Sequence, residues 1–146
     1  RQRTTNKITK EQLHQREAGL WKLLRDGLTT TKRRIETTRL ESWALPGVPD
    51  VLCCSEHGIF SFLELKLVKG KRKFSIDLSP HQVAWISRHS HANVFIVCRG
   101  RNLVLDVFGG SSAVDLRMDP FNTVEALASF AEPYDWEAFW KLTCPE

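Results

Sequence analysis

The chain has 146 residues, of which 42% are hydrophobic and 26% charged, and its formal net charge is +4. That length allows a single domain with a real core, and the composition is typical of a globular protein rather than a disordered one. No apolar run reaches the roughly 18 residues that a membrane span needs, and Arg1-Gln2-Arg3 does not open a signal peptide. These features predict a chain that folds in the cytoplasm.

The four cysteines have neither the spacing of a redox pair nor that of a zinc site. Cys53 and Cys54 are neighbours in a predicted strand, where adjacent side chains point to opposite faces and are poorly placed to bridge each other. We therefore expect reduced thiols at all four positions, which also include Cys98 and Cys144.

The first predicted elements are a loose basic arm over residues 1–8 and a helix from a Thr9 N-cap to about Leu28. One face of this helix is apolar and carries Leu13, Leu20, Trp21, Leu24 and Leu28. Glu17 falls on the same face, where a carboxylate is costly unless a cation or a hydrogen-bond donor meets it. The ordinary alternative is a residue at the helix edge that reaches solvent.

Three strands are predicted next. The first runs from about Arg33 to Trp43 and is broken by Pro46-Gly47-Val48-Pro49. Residues 50–55 and 59–66 then form two strands around His57-Gly58, which predicts an antiparallel hairpin.

The second half of the chain begins with a helix announced by Ser79 as N-cap, Pro80 at the first position and Gln82 at the third, ending near His89. Further predicted elements are strands over Val94–Cys98 and Leu103–Phe108 and helices over Phe121–Ala131 and Asp135–Leu142. The aromatic face of the last helix, Trp136, Phe139 and Trp140, favours core packing or a homodimer contact over base stacking. The order of elements predicts a mixed α/β sheet.

The predicted hairpin carries three ionisable side chains that could form a catalytic site: Asp50, Glu64 and Lys66. Glu64 and Lys66 alternate with Leu63 and Leu65, so the carboxylate and the ammonium group share one face of the strand. The hairpin brings Asp50, at the start of the partner strand, close to Glu64. Two converging carboxylates and the lysine are suited to binding Mg²⁺ and to assisting attack on a phosphate.

An isolated Glu-x-Lys is common and usually has no catalytic meaning. The specific signal is the combination of Pro49-Asp50, a turn, and Glu64-Leu65-Lys66 at the end of an apolar strand. With Pro49-Asp50 and Glu64-Leu65-Lys66 the chain resembles the PD-(D/E)XK nuclease superfamily, most closely the VRR-NUC and phage-type Holliday junction resolvase branch. The segment 78–85 also resembles the Ser-Pro-x-Gln-x-x-Trp helix start that follows the active strand in many phage members.

This resemblance covers residues 10–110 and implies an α/β, restriction-endonuclease-like α-β-β-β-α-β core with a mixed sheet, to which the terminal helices are added. Residues 9–146 would form the single nuclease domain. The resemblance also implies that Asp50, Glu64 and the Leu65 carbonyl hold Mg²⁺ or Mn²⁺. Glu17 matches the first-helix acid of the family, with Glu41 as a competing acid, and Gln82 matches the helix glutamine that orients groups of the site.

The implied function is a structure-selective endodeoxyribonuclease, with a Holliday junction resolvase as the first choice and a homodimer as its form. Expected DNA contacts are Lys69, Lys71, Arg72, Lys73, Arg33 and Arg34. The alternatives are a flap, repair or restriction-like nuclease and a DNA-binding module that has lost turnover. No organic cofactor is expected, and the spacing of the histidines does not favour a histidine-based metal site.

Overall fold

The structure, a computed structural model, describes residues 10–40, 45–69 and 75–146, and only the backbone of residues 10–17. Within these ranges the α-helices are α1 (Lys10–Thr29), α2 (Pro80–Arg88), α3 (Ala113–Met118) and α4 (Trp136–Thr143). The strands of the same ranges are β1 (Ile35–Arg39), β2 (Val51–Ser55), β3 (Phe60–Leu67), β4 (Val94–Arg99), β5 (Leu105–Gly109) and β6 (Ala128–Phe130).

All six strands belong to one sheet, in the order β1-β2-β3-β4-β5-β6. The β3–β4 pair is parallel and the other four pairs are antiparallel. Parallel neighbours need a long crossover, and α2 supplies it. The predicted mixed α/β fold, with its α-β-β-β-α-β order of elements, is confirmed.

The predicted hairpin is also present. In it, Val51 of β2 pairs with Leu63 of β3, which fixes the register of the two strands. The first strand is shorter than predicted, because β1 begins at Ile35 and ends at Arg39. Residues 41–44 of the predicted strand lie outside the described residues.

A hydrophobic core covers each face of the sheet. On one face α1 and α4 pack over Leu63 and Leu65, and Leu20 and Leu24 of α1 are fully buried there. On the other face α2 and α3 pack over the sheet, with Ile86 of α2 fully buried. The apolar face predicted for the first helix is thus confirmed at the positions whose side chains are described. Leu13 is not among them.

The helix predicted over Phe121–Ala131 is wrong. Phe121–Thr123 forms only a short 3-10 turn, and Ala128–Phe130 is the edge strand β6, which pairs with β5. Backbone groups along β5 need hydrogen-bond partners, and a strand beside it supplies them, so the tertiary setting overrides the local helical pattern. The short helix α3 was not expected at all.

The last helix is present as predicted, and it belongs to the core. Phe139 and Trp140 are fully buried against the α1 side of the sheet. Gly27 of α1 lies so close to Trp136 that a β-carbon there would stand 2.2 Å from the indole ring. These contacts assign the aromatic face of α4 to core packing within the chain.

All four cysteines are free thiols, as predicted, and three of them, Cys53, Cys98 and Cys144, are buried. Within the part of the chain that the structure describes, no helix combines the length and the apolar character needed to cross a bilayer.

Candidate active site

Asp50 stands immediately before β2, at the point where the strand pairing with β3 stops. Its Oδ2 accepts a hydrogen bond from the backbone N–H of Leu65 at 2.8 Å. The Asp50 carboxylate thus accepts the Leu65 N–H in place of a strand carbonyl, just before β2 begins. This contact fixes Asp50 against the middle of the Glu64-Leu65-Lys66 segment and leaves its other oxygen, Oδ1, available to the site.

Glu64 lies almost completely inside the protein, with 1% of its side chain exposed. Lys66 follows two residues later on the same strand face, and its Nζ is 3.9 Å from Glu64 Oε2. A buried carboxylate is costly unless charge or hydrogen bonds compensate it. The ammonium group supplies part of that compensation from within the same strand.

Gln82 links the start of α2 to Glu64. Its Nε2 donates to Glu64 Oε2 at 3.1 Å, while its Oε1 accepts from the Ser79 backbone N–H at 2.9 Å. Ser79 Oγ in turn accepts from the Gln82 backbone N–H at 3.1 Å, which completes a capping box. Because both ends of the amide are engaged, the orientation of the donor toward Glu64 is set by the helix cap.

Gly47 explains how the loop before Asp50 meets the same helix. Its φ is +92°, a conformation that favours glycine, and a β-carbon at this position would stand 2.2 Å from the carbonyl oxygen of His81. The loop thus lies directly on the first turn of α2. The sequence indicates only a turn at this point, because the identity of the neighbour depends on the fold.

The oxygen atoms of the site suit a hard divalent cation. In an antiparallel strand the N–H and C=O of one residue point to the same side, so the Leu65 carbonyl faces the Asp50 side of β3. Together with Asp50 and Glu64 it forms a set of oxygen donors next to a single lysine. These donors fit Mg²⁺ or Mn²⁺ better than the softer metals that select sulfur or imidazole.

Several predicted residues lie outside what the structure describes. The backbone of Glu17 belongs to α1, but its side chain is not described. Glu41 and the basic residues Lys71, Arg72 and Lys73 fall in the undescribed segments. Their proposed roles stay predictions.

Arg33 and Arg34, two of the predicted DNA contacts, lie at the end of the sheet remote from Asp50, and their contact with DNA stays a prediction. Both precede β1, whose first residue pairs with Ser55 at the end of β2 opposite Asp50. Arg33 Nη2 donates to the Cys144 carbonyl at 2.6 Å and lies 3.4 Å from Glu146, with 11% of its side chain exposed. Arg33 therefore ties the C-terminal segment to the sheet. Arg34 is exposed but lies at the same remote end.

A second group of potential metal ligands occurs at that end of the sheet. Glu56, His57 and Glu146 have ligand atoms within 4.8 Å of one another, and all three residues are exposed. They lie across the length of β2 from Asp50 and so are separate from the Asp50–Glu64 site.

No protein-family model and no curated protein matches the chain. Among solved structures, the chain is similar to Hjc of Archaeoglobus fulgidus, a Holliday junction resolvase from an archaeal hyperthermophile. The sequence identity is 14% and the TM-score 0.43, over 64% of this chain and 74% of that one.

Proposed function

We propose that the chain is a metal-dependent endonuclease that hydrolyses DNA phosphodiester bonds at Asp50, Glu64 and Lys66. The observation that carries the proposal is that two carboxylates, a lysine and a glutamine from three parts of the chain meet near the start of β2. One of the carboxylates, Glu64, is buried between Lys66 and Gln82. Placing a carboxylate there costs folding free energy, and such costs are typical of functional sites.

The residues that would hold Mg²⁺ or Mn²⁺ are Asp50, Glu64 and, through its carbonyl, Leu65. A cation bound there would supply Lewis-acid polarisation of the scissile phosphate and would favour hydroxide formation from a bound water.

The protein's own groups then have distinct tasks. The Lys66 ammonium group would stabilise the negative charge that develops on the phosphorane, or help to activate the attacking water. Gln82 would hold the Glu64 carboxylate in one orientation through its hydrogen bond to Oε2. Asp50 is fixed by the Leu65 N–H, so neither carboxylate has to reorganise when substrate arrives. Glu17 remains the proposed additional acid.

For the substrate we propose branched DNA, with a four-way junction as the first choice. Lys69 is exposed and lies two residues after β3. It would contact the phosphate backbone of the DNA, together with Lys71, Arg72 and Lys73. Phosphate contacts position DNA without reading its sequence, so the shape of the substrate would provide the selectivity. Cutting two opposed strands of a junction calls for two sites related by a two-fold axis, and we therefore propose a homodimer.

The test is cleavage of a labelled four-way junction, flap, linear duplex and single strand, each with Mg²⁺ or Mn²⁺. The variants Asp50→Asn and Glu64→Gln should abolish cutting, while Asp119→Asn and Glu125→Gln change exposed carboxylates and should not. Symmetric nicks in the junction alone would support a resolvase. Equal cutting of all four substrates would reduce the proposal to a general nuclease, and tight binding without any metal-dependent cutting would overturn it in favour of a binding module.

A further inference from the structure

A cavity of about 410 Å³ opens at the carboxyl ends of the parallel strands β3 and β4, and its lining begins one residue after Lys66. Its walls come from three parts of the chain: Gly19 of α1, residues 67–69 at the end of β3, and Arg99, Gly100, Arg101 and Leu103 around the β4–β5 turn. The volume is in the range of sites that bind small molecules or single nucleotides, roughly 300–1,000 Å³.

The charged side chains in the described lining of this cavity are all positive. Lys69, Arg99 and Arg101 line it, and no carboxylate does so among the residues that the structure describes. Within the same described residues, none of these three side chains makes an ion pair. Three cations that line one cavity, with no carboxylate in its described lining, create a local positive potential that attracts an anion.

Arg99 also presents a buried donor to this region. Its Nε is buried and has no hydrogen-bond partner in the described part of the chain. Buried polar groups are nearly always paired, and leaving one unpaired costs stability. A phosphate oxygen is the acceptor that a guanidinium group binds best.

The rim of the cavity is strained. Leu103 has a φ of +64°, which is rare for a residue that carries a β-carbon, and its side chain is 42% exposed. Two contacts hold this conformation: the Leu103 N–H donates to the Gly100 carbonyl at 3.0 Å, and the Tyr134 hydroxyl donates to the Leu103 carbonyl. Strain maintained in this way is concentrated at functional sites. It places an apolar side chain next to the arginines, where it can pack against a sugar.

From these observations we infer that the cavity binds a non-scissile nucleotide of the DNA substrate, with its phosphate on Arg99, Arg101 and Lys69 and its sugar against Leu67 and Leu103. Lys69 follows Lys66 by three positions, which corresponds to about 10 Å of extended chain. The phosphate held in the cavity is therefore a different one from the phosphate that is cleaved beside Lys66. The inference rests on the proposed function in naming DNA as the ligand.

The test compares two double variants of the full chain with equal changes in charge. Lys69→Gln with Arg101→Gln alters two exposed residues of the cavity, whereas Arg88→Gln with Lys141→Gln alters two exposed residues elsewhere. Binding of a labelled junction and a labelled duplex is followed by fluorescence anisotropy over a series of salt concentrations, with no divalent metal present so that cleavage does not interfere.

The cavity variant should bind roughly tenfold more weakly at low salt, because charge-assisted hydrogen bonds to phosphate are lost. The slope of log affinity against log salt should fall by about 0.9 for the one phosphate released. The control should keep the slope of the unaltered chain. Arg99→Gln, if it folds, should show the same loss of DNA affinity. The double variant of Lys69 and Arg101 tests the site even if Arg99→Gln does not fold.

A second measurement identifies the source of the phosphate. The amide resonance of Gly100 should shift on addition of DNA and, at much higher concentration, of inorganic phosphate. The assignment to nucleic acid would be overturned if inorganic phosphate shifted the Gly100 resonance while both double variants bound DNA with the same affinity as the unaltered chain. It would also be overturned if both double variants lost DNA affinity to the same extent. A chain that binds DNA through the cavity but never cleaves would contradict the proposed hydrolysis and still support this site.

Discussion

Two contacts help to explain how the Glu64 carboxylate is tolerated in the interior: the Lys66 ammonium group lies 3.9 Å from it, and the Gln82 amide donates a hydrogen bond to it. Removing a neighbour should affect catalysis more than folding if the site is catalytic, because the neighbours set the charge and orientation of Glu64.

Replacing Lys66 with methionine tests the cation. Met keeps the length and apolar stem of the side chain, which is 14% exposed, but removes the positive charge 3.9 Å from Glu64 Oε2. We expect the single-turnover rate of DNA cleavage to fall by about 100-fold or more, the size of effect seen when one charge-stabilising group is lost. The matched change Lys141→Met, on the exposed side of α4, should leave the rate unaltered; equal rates for both variants would contradict the role of Lys66.

Cys53 provides a pH-dependent prediction that is independent of catalysis. Burial, reinforced by the nearby Cys144, raises the pKa of the Cys53 thiol from its ordinary value of 9.0 to about 12. Between these two values the folded chain keeps the thiol proton that the unfolded chain releases, so stability is undiminished below about pH 9 and falls as the pH rises. The contribution of one such proton is about 1.4 kcal/mol per pH unit.

We therefore expect the free energy of unfolding of the unaltered chain to fall more steeply above pH 9 than that of Cys53→Ala. Urea denaturation of both proteins at pH 7.5, 9 and 10.5 measures the difference. Parallel profiles would show that the thiol is not buried as the structure has it.

At the scale of single residues, the sequence predicts the side chains of the site where their placement depends on strand alternation. Alternation alone places Glu64 and Lys66 on one face, and the hairpin brings Asp50 beside them. Strand alternation gives no indication that Asp50 accepts the Leu65 N–H. It also does not predict that Arg33 contacts Cys144 and Glu146, because a pairing across more than 100 residues depends on the fold.

At the scale of elements, the loop before β2 and the first turn of α2 determine how the site is assembled. Gly47 and Gly58 both have positive φ, +92° and +80°, but their surroundings differ. A β-carbon at Gly47 would collide with the His81 carbonyl, whereas a β-carbon at Gly58 would meet open space. The two glycines therefore form a matched pair for substitution.

We expect Gly58→Ala to cost about 1–3 kcal/mol of stability, from backbone strain alone, and to leave cleavage unchanged. Gly47→Ala should be less stable than Gly58→Ala and should also cleave more slowly, because the loop must move away from α2 and take Asp50 with it. Chemical denaturation and cleavage rates, measured at a temperature where both variants are folded, test this. Equal cleavage rates would show that the loop does not position Asp50.

Element prediction failed where tertiary contacts overrode local pattern. Ser79, Pro80 and Gln82 are a local signal, and α2 begins where they place it. The segment 121–131 has a helical pattern too, but β5 offers it a partner, and Ala128–Phe130 becomes a strand. Local signals can identify a helix cap, whereas they cannot identify the edge of a sheet that forms elsewhere in the chain.

At the scale of the whole molecule, α4 closes the core on the face of the sheet opposite Gln82. Trp140 is fully buried there together with Phe139, although the sequence resemblance ends near residue 110. The C-terminal segment is therefore an integral part of the fold.

Trp140→Ala should lower the free energy of unfolding by about 3–5 kcal/mol, the usual cost of removing a large buried aromatic side chain. Leu127→Ala is a surface control, since Leu127 is 58% exposed, and it should change stability by no more than about 0.5 kcal/mol. Urea denaturation gives both values. A small effect at Trp140 would mean that α4 does not pack as described.

The central claim is that Asp50, Glu64, Lys66 and Gln82 form one site for hydrolysing phosphodiester bonds. Its most direct test is the single-turnover cleavage rate of a labelled four-way junction in Mg²⁺, comparing Glu64→Gln with Glu125→Gln, which makes the same change at an exposed position. We predict that Glu64→Gln abolishes cleavage while DNA binding persists, and that Glu125→Gln cleaves at the rate of the unaltered chain. Cleavage by Glu64→Gln at an undiminished rate would contradict the account.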